Sequence, residues 1–214
     1  MDSQPSAIRV PSEGPPTDTK GEIVEAALRT LRTKGFAGAS ARAIAREGDF
    51  NQALIFYHHG SVRNLLLAVL DLISERRMSD YKPAFERAES ATELAALART
   101  VHADDVDRGY ITVLGEMVSG GVTDPVLGAE VAARIEPWIE MVEQKIDQLL
   151  EGTLFAALAS SRDLAFGLVA AYFGVDMLSH LQGEQTRAES LLELAARLSA
   201  LADAFLPAQR EKTQ

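Results

Sequence analysis

The 214-residue chain has no cysteine. That excludes disulfide staples, thiolate metal sites and thiol nucleophiles together, and it suits a reducing cytoplasm. Aromatic residues are sparse, at 6% of the chain with a single tryptophan, so each large ring has to be accounted for individually. No stretch alternates apolar and polar residues for long enough to make a strand, and there is no internal repeat. The expected fold is therefore all-α, with about nine helices read from apolar stripes at helical spacing. Long hydrophobic runs are missing too. The most apolar segment, residues 164–178 (LAFGLVAAYFGVDML), carries Asp176 and is shorter than the roughly 20 residues a membrane span requires. No membrane partner is expected. The first residues, MDSQPSAIRVPSEGPPTDTK, are polar and proline-rich, without a signal-peptide core. Catalytic motifs are absent: no Walker loop, no dinucleotide fingerprint, no Gly-x-Ser-x-Gly elbow. The protein is not read as an enzyme, and no cofactor is expected. His58 and His59 project about 100° apart on a helix, whereas a metal-binding pair needs i, i+4 spacing, so no metal is expected there. His102 and His180 read as core or surface residues that could also line a pocket.

An excess of basic charge is lacking as well, since the net charge is −10. The imbalance is regional. Residues 1–70 hold eight Lys/Arg against seven Asp/Glu, a net +1, while residues 71–214 hold thirteen against twenty-four, a net −11. A nearly neutral N-terminal region is a poor electrostatic footprint for nucleic acid, so any DNA-binding assignment has to rest on a motif.

The motif lies in residues 40–66, SARAIAREGDFNQALIFYHHGSVRNLL. A first short helix, residues 40–47, buries Ala41, Ile44 and Ala45 and is broken by Gly48-Asp49-Phe50. Asn51, a favoured N-cap, opens a second helix with Gln52, Ala53 and Tyr57 pointing outward. This is a helix-turn-helix pattern, in which the second helix enters the major groove and presents its N-terminal residues to base edges. A plain helical hairpin is the alternative. Before it, Thr19 and Glu22 form a capping box for a helix that runs to Lys34 and closes at Gly35.

Ile44-Ala45, the turn, Asn51-Gln52-Ala53-Leu54-Ile55, Tyr57-His58, Gly60-Ser61 and Leu65-Leu66 together resemble the N-terminal domain of TetR-type transcriptional regulators over residues 20–70. The resemblance implies base-edge roles for Gln52 and Ala53. It places Ser40, Arg42, Asn51, Tyr57, His58 and Arg63 near phosphates or flanking bases of a double-stranded operator. Three positions depart from the family pattern. Asp49 occupies a turn position usually held by Gly, His59 stands where an aromatic core residue is usual, and Val62 stands where a Lys is usual and cannot bind phosphate. Arg63, in the same turn, could partly replace that charge.

Beyond the motif, Ser61 caps a long helix expected to reach Met78, with Pro83 limiting its extension. Helices follow over residues 91–101 and 104–119, the latter ending at a Gly120-Gly121 breaker. The next starts at Asp124-Pro125, is interrupted near Pro137 and ends at Gly152. Residues 164–178 have no polar face, so one side needs a partner other than this chain's own core, most simply a second copy. The last helix opens with a capping box, Thr186 to Glu189, and ends before Pro207. These two helices match the place of the family's dimerisation pair, and Leu164, Ala170, Gly174, Leu178, Leu181, Leu191, Leu194 and Leu198 are the candidate dimer residues. Tyr110, Met117, Trp138, Met141, Phe166, Tyr172, Phe173 and Met177 are candidates to line a ligand cavity, with core packing as the alternative for each. The acidic excess tilts the expected ligand towards a hydrophobic and cationic molecule.

The expected organisation is an N-terminal arm (1–18), a DNA-binding domain (19–66), a ligand-binding and dimerisation domain (67–207) and a tail (208–214). The expected function is that of a homodimeric repressor released from a pseudo-palindromic operator by a small hydrophobic ligand. Two alternatives stand beside it: a TetR-like regulator without a small-molecule inducer, acting as an activator or under a protein partner, and a helical enzyme or carrier using the same pocket.

Overall fold

Helix ends in this protein are set by short polar side chains that take up the otherwise unpaired backbone N–H groups of the first turn. The computed structural model describes residues 18–153, 156, 159–182 and 185–205. The expected arm, apart from Asp18, and the expected tail lie outside these. Among the described residues the chain is nine helices without a strand: α1 (Thr19–Gly38), α2 (Ala41–Glu47), α3 (Ala53–His59), α4 (Val62–Arg87), α5 (Ala91–Arg108), α6 (Tyr110–Thr123), α7 (Pro125–Leu150), α8 (Ser161–Gln182) and α9 (Gln185–Phe205). Asp18, one residue earlier than the expected Thr19, caps α1 by accepting from Gly21 N. Ser40, Ser61 and Ser90 cap α2, α4 and α5 in the same way, and Asp124 caps α7 by accepting from both Val126 N and Leu127 N.

Several boundaries differ from the sequence expectation. Pro83 sits inside α4, which continues to Arg87, and Pro137 sits inside α7. A proline removes one intrahelical bond, and packing on either side carries the helix through. α5 extends to Arg108 rather than residue 101, and the break comes at Gly109, whose left-handed φ of 70° ends one helix and begins the next. Gly120 and Gly121 are not breakers: both are buried inside α6. A Cβ on Gly120 would lie 2.8 Å from the Phe36 ring, and one on Gly121 would lie 2.9 Å from the backbone of Gly128. Their missing side chains let α1 and α7 approach α6.

One hydrophobic cluster holds the molecule together across residue 66. Ile23, Leu31, Ile44, Ile55, Leu65 and Val69 from α1 to α4 pack in a single core with Tyr110, Val113, Met117, Leu127 and Val131 from α6 and α7. At the seam Phe36 N donates to Glu116 Oε2 (2.8 Å). Gly35 turns there with φ 67°, a left-handed value, as its position after Lys34 implied. At the far end Lys145, buried on α7, donates to the Glu86 and Ala88 carbonyls and so serves the C-terminus of α4. Asp203 of α9 accepts from Ala91 N and Thr92 N, fastening the last helix to the start of α5.

Candidate nucleic-acid interface and ligand cavity

α2 and α3 form the expected two-helix reader, and its local chemistry explains its shape. Asp49 takes φ 54° at the turn, the left-handed value its place required, and Asp bears this better than most residues. The Phe50 ring folds back over Gly48, where a Cβ would come within 2.2 Å of it. Asn51 Oδ1 accepts from Ala53 N (2.9 Å), so the asparagine starts the reading helix. Ile55 anchors that helix with no exposure, whereas Ser40, Arg42, Asn51, Gln52 and Ala53 are exposed and Tyr57 is 82% exposed. His58 is half-buried, with its ring edge-on to Tyr57.

Phe56, on the same helix, is 50% exposed although it is a large apolar residue. It stands four residues after Gln52, a spacing that puts both on one helical face. Arg63 is exposed and paired with Asp124, the cap of α7. The residue expected near phosphate is therefore held by a carboxylate of the C-terminal region.

His59 is a polar group in a place suited to an aromatic one. Its Nε2 is buried without a hydrogen-bond partner. Burial holds its pKa below the ordinary 6.5, aided by the charges of Lys20 and His58 and opposed by the Lys20 backbone. The unfolded chain therefore takes the proton first as pH falls, so the stability contributed by neutral His59 is complete above about pH 6.5 and declines below it. His59→Phe is expected to raise thermal stability and to lessen the loss between pH 7.5 and 5.5. Melting curves of both proteins at matched pH check this, and equal pH slopes would refute it.

The C-terminal region contains a small, partly open cavity of about 40 Å³. Three elements build it. Leu70, Ile73, Ser74 and Arg77 come from α4, Tyr110, Ile111 and Leu114 from α6, and Arg134, Ile135 and Trp138 from α7, with Asp105 and Phe173 completing the wall. Of the expected lining residues, Tyr110, Trp138 and Phe173 are present. Tyr172 stands behind the wall and donates to Asp105 Oδ2 (2.7 Å), and His102, also buried, packs edge-on against Tyr172. Met141 is half-buried on α7 but is not part of the wall.

Three expectations are corrected here. Met117 is fully buried in the core that joins the two regions, and Phe166 and Met177 are 61% and 44% exposed on the outside of α8. Sequence reading missed the α4 contribution. Residues 70, 73, 74 and 77 make an i, i+3, i+4, i+7 stripe within the long helix expected to run from Ser61 to Met78.

Charge is concentrated at one end of the cavity. Arg77 Nη2 pairs with buried Asp105 Oδ2 at 3.0 Å, and the guanidinium lies over the Trp138 ring, 4.6 Å from its centroid. Trp138 Nε1 donates to Ser74 Oγ (3.2 Å). Arg134 is turned towards Asp71 and Glu130 at the surface.

α8 and α9 pack together and present a continuous apolar face. Leu164, Phe166, Leu168, Met177 and Leu178 on α8, with Leu191, Leu194, Leu198 and Leu201 on α9, are between 39% and 61% exposed. Ala170 is exposed on the same helix, and a Cβ on Gly174 would meet nothing within 4 Å. The side chains of Leu181 and His180 lie outside the described residues. Among the described residues no helix is long and apolar enough to cross a membrane, and no cluster of His, Asp and Glu could hold a metal.

An all-helical chain whose N-terminal helices form an anchored helix-turn-helix with an exposed second helix defines the class, a DNA-binding transcriptional regulator. Within that class its N-terminal region is similar to TetR-family regulators. Residues 23–69 match the family model described as bacterial regulatory proteins, tetR family. A TetR-family member from Streptomyces coelicolor is 25% identical, with a TM-score of 0.63 and coverage of 85% of this chain and 98% of that one. A TetR transcriptional regulator from Legionella pneumophila, 19% identical, superposes with a TM-score of 0.71 over 86% of this chain and 98% of that one. The fatty acid degradation regulator FadR from Bacillus halodurans, at 13% identity, shares the fold with a TM-score of 0.72 over 94% and 99%. No curated protein matches the chain.

Proposed function

We propose that the protein is a homodimeric repressor that binds a pseudo-palindromic operator through α3 and is released by a small hydrophobic ligand held between α4, α6 and α7. The observation that carries the DNA reading is the contrast within α3: Ile55 is sealed in the core while Gln52, Ala53 and Tyr57 project from the surface. Gln52 and Ala53 sit at the start of the helix, where base edges are read, and Tyr57, Arg42 and Ser40 flank them as phosphate partners. The division into a 19–66 reader and a 67–207 effector and dimer region is part of this proposal, and no catalytic role is assigned.

Two connections support a switch. α4 begins beside the reading helix at Ser61 and contributes Leu70, Ile73, Ser74 and Arg77 to the cavity. α7 contributes Arg134, Ile135 and Trp138, and its cap, Asp124, holds Arg63. A ligand that prefers one spacing of the reading helices shifts the operator affinity by its differential affinity, usually about 1–3 kcal/mol. At about 40 Å³ the cavity is small, far below the roughly 300–1,000 Å³ of drug-sized sites. A ligand must therefore part α4 from α7, which is the movement a switch needs. The acidic excess that suggested a cationic ligand does not reach the wall, where Arg77 and Arg134 outnumber Asp105.

Gel shifts against genomic fragments test the DNA reading. Gln52→Ala is expected to cost about 1–3 kcal/mol at one or two operator positions and to relax specificity there, whereas Tyr57→Phe weakens all sequences alike. An unchanged operator profile for Gln52→Ala would place the reading helix in the wrong register.

A further inference from the structure

The polar end of the cavity states which chemistry it accepts. Asp105 and Arg77 are both withdrawn from water, with side chains 2% and 14% exposed. Asp105 Oδ2 accepts from the Tyr172 hydroxyl and is ion-paired with Arg77 Nη2. Arg77 has a donor to spare: its Nε–H is buried without an acceptor, while the guanidinium is fixed by Asp105 on one side and by the Trp138 ring on the other. A buried donor without an acceptor is costly, and a group that supplies the acceptor recovers that cost. Leu70, Ile73, Ile111, Leu114 and Ile135 surround this end with apolar surface.

We propose that the effector is an apolar molecule whose one polar group is a hydrogen-bond acceptor, a carbonyl or a carboxylate, received by Arg77, and that cationic molecules are excluded. This rests on the reading of the cavity as the effector site. An ammonium group entering here would lie against the like-charged guanidinium and compete with it for Asp105. A carbonyl or carboxylate would meet the free N–H edge of a planar cation held in place before the ligand arrives, and pre-organisation of that kind favours binding. The rest of the ligand would lie over Trp138 and between the aliphatic side chains of α4 and α6.

Four cyclohexane derivatives of similar size and with at most weak near-ultraviolet absorption test the assignment on the intact protein: cyclohexyl methyl ketone, cyclohexanecarboxylate, cyclohexylmethylammonium and ethylcyclohexane. Binding is followed by the emission of Trp138 and by calorimetry. The ketone, the carboxylate or both are expected to bind saturably and at least tenfold more tightly than the ammonium and the hydrocarbon, and the stronger of the two names the acceptor. In Arg77→Lys, checked for native helicity, that preference falls to within about threefold while hydrocarbon binding persists. Arg134→Lys retains the preference, because Arg134 is engaged at the surface. Binding of the ammonium as tight as that of the ketone, or equal binding of all four, overturns the acceptor assignment and leaves the cavity as an effector site. Failure of all four to perturb Trp138 overturns the effector reading and the assignment together.

Discussion

Replacing Leu178 and Leu198 together by Glu is expected to give a folded monomer that no longer holds operator DNA. Both residues are more than half exposed in the single chain, at 60% and 56%, on the face shared by α8 and α9. Their replacement therefore removes nothing from this chain's own core. Soluble monomers rarely expose contiguous apolar surface of this kind, and a face built by two adjacent helices is suited to an isologous contact with a second copy. Two carboxylates per subunit, doubled by the symmetry of such a contact, would be buried without partners, a cost that a dimer interface does not tolerate. Ala170→Glu or Gly174→Glu should act similarly, because neither position meets a neighbour in the single chain that the new side chain would displace. Loss of the second reading helix removes the intramolecular advantage of the paired half-sites, so operator affinity should fall by about 10²–10⁴. Sedimentation equilibrium at micromolar concentration and gel shifts on the same preparations check both parts. A wild-type protein that sediments as a monomer, or a double variant that remains dimeric, would refute the dimer assignment. A double variant that loses its helicity would mean that this face belongs to the folding core.

The parts of this fold that were legible in the sequence are those decided within one turn of chain. Asn51, Ser61 and Asp124 cap the helices they precede, and Gly35 and Asp49 take left-handed backbone conformations. Each depends on a side chain or a φ value that acts on its immediate neighbours, so local chemistry suffices. Gly120 and Gly121 show the opposite case. As a local pattern a glycine pair signals a break, but here the absence of two side chains is used by the Phe36 ring and the Gly128 backbone, both distant or unrelated in sequence. The exposed face of α8 was legible because a helix without a polar side must find a partner somewhere. The lining of the C-terminal cavity was half legible. Aromatic residues identified Tyr110, Trp138 and Phe173, but charged residues carry its chemistry, and Arg77 with Asp105 looks in sequence like ordinary surface. Burial, which makes that pair informative, is a property of the packed structure.

Met117→Ala is expected to be the most damaging single substitution within the chain, and it separates two roles that the sequence allowed. Met117 has no exposure and belongs to the core joining α1 and α4 to α6 and α7. Truncation to alanine leaves a cavity that can close only by moving helices, and such losses cost about 2–5 kcal/mol. For a chain of this length about 2–4 °C is lost per kcal/mol, so the melting temperature should drop by about 4–20 °C. The measurement has to be made at fixed protein concentration, since dimerisation would couple the melting temperature to concentration. Gly120, three residues further along α6, faces the Phe36 ring. A loosened α6 therefore loosens its contact with α1 but leaves the exposed reading surface of α3 in place. At temperatures where Met117→Ala remains folded, its order of preference among operator sequences should match that of wild type. The four cyclohexane probes should also bind it with the wild-type order of affinities. Had Met117 lined the ligand cavity, the same substitution would alter probe binding strongly and stability little, and that result would move the cavity from the Arg77–Trp138 end to the seam between the two regions.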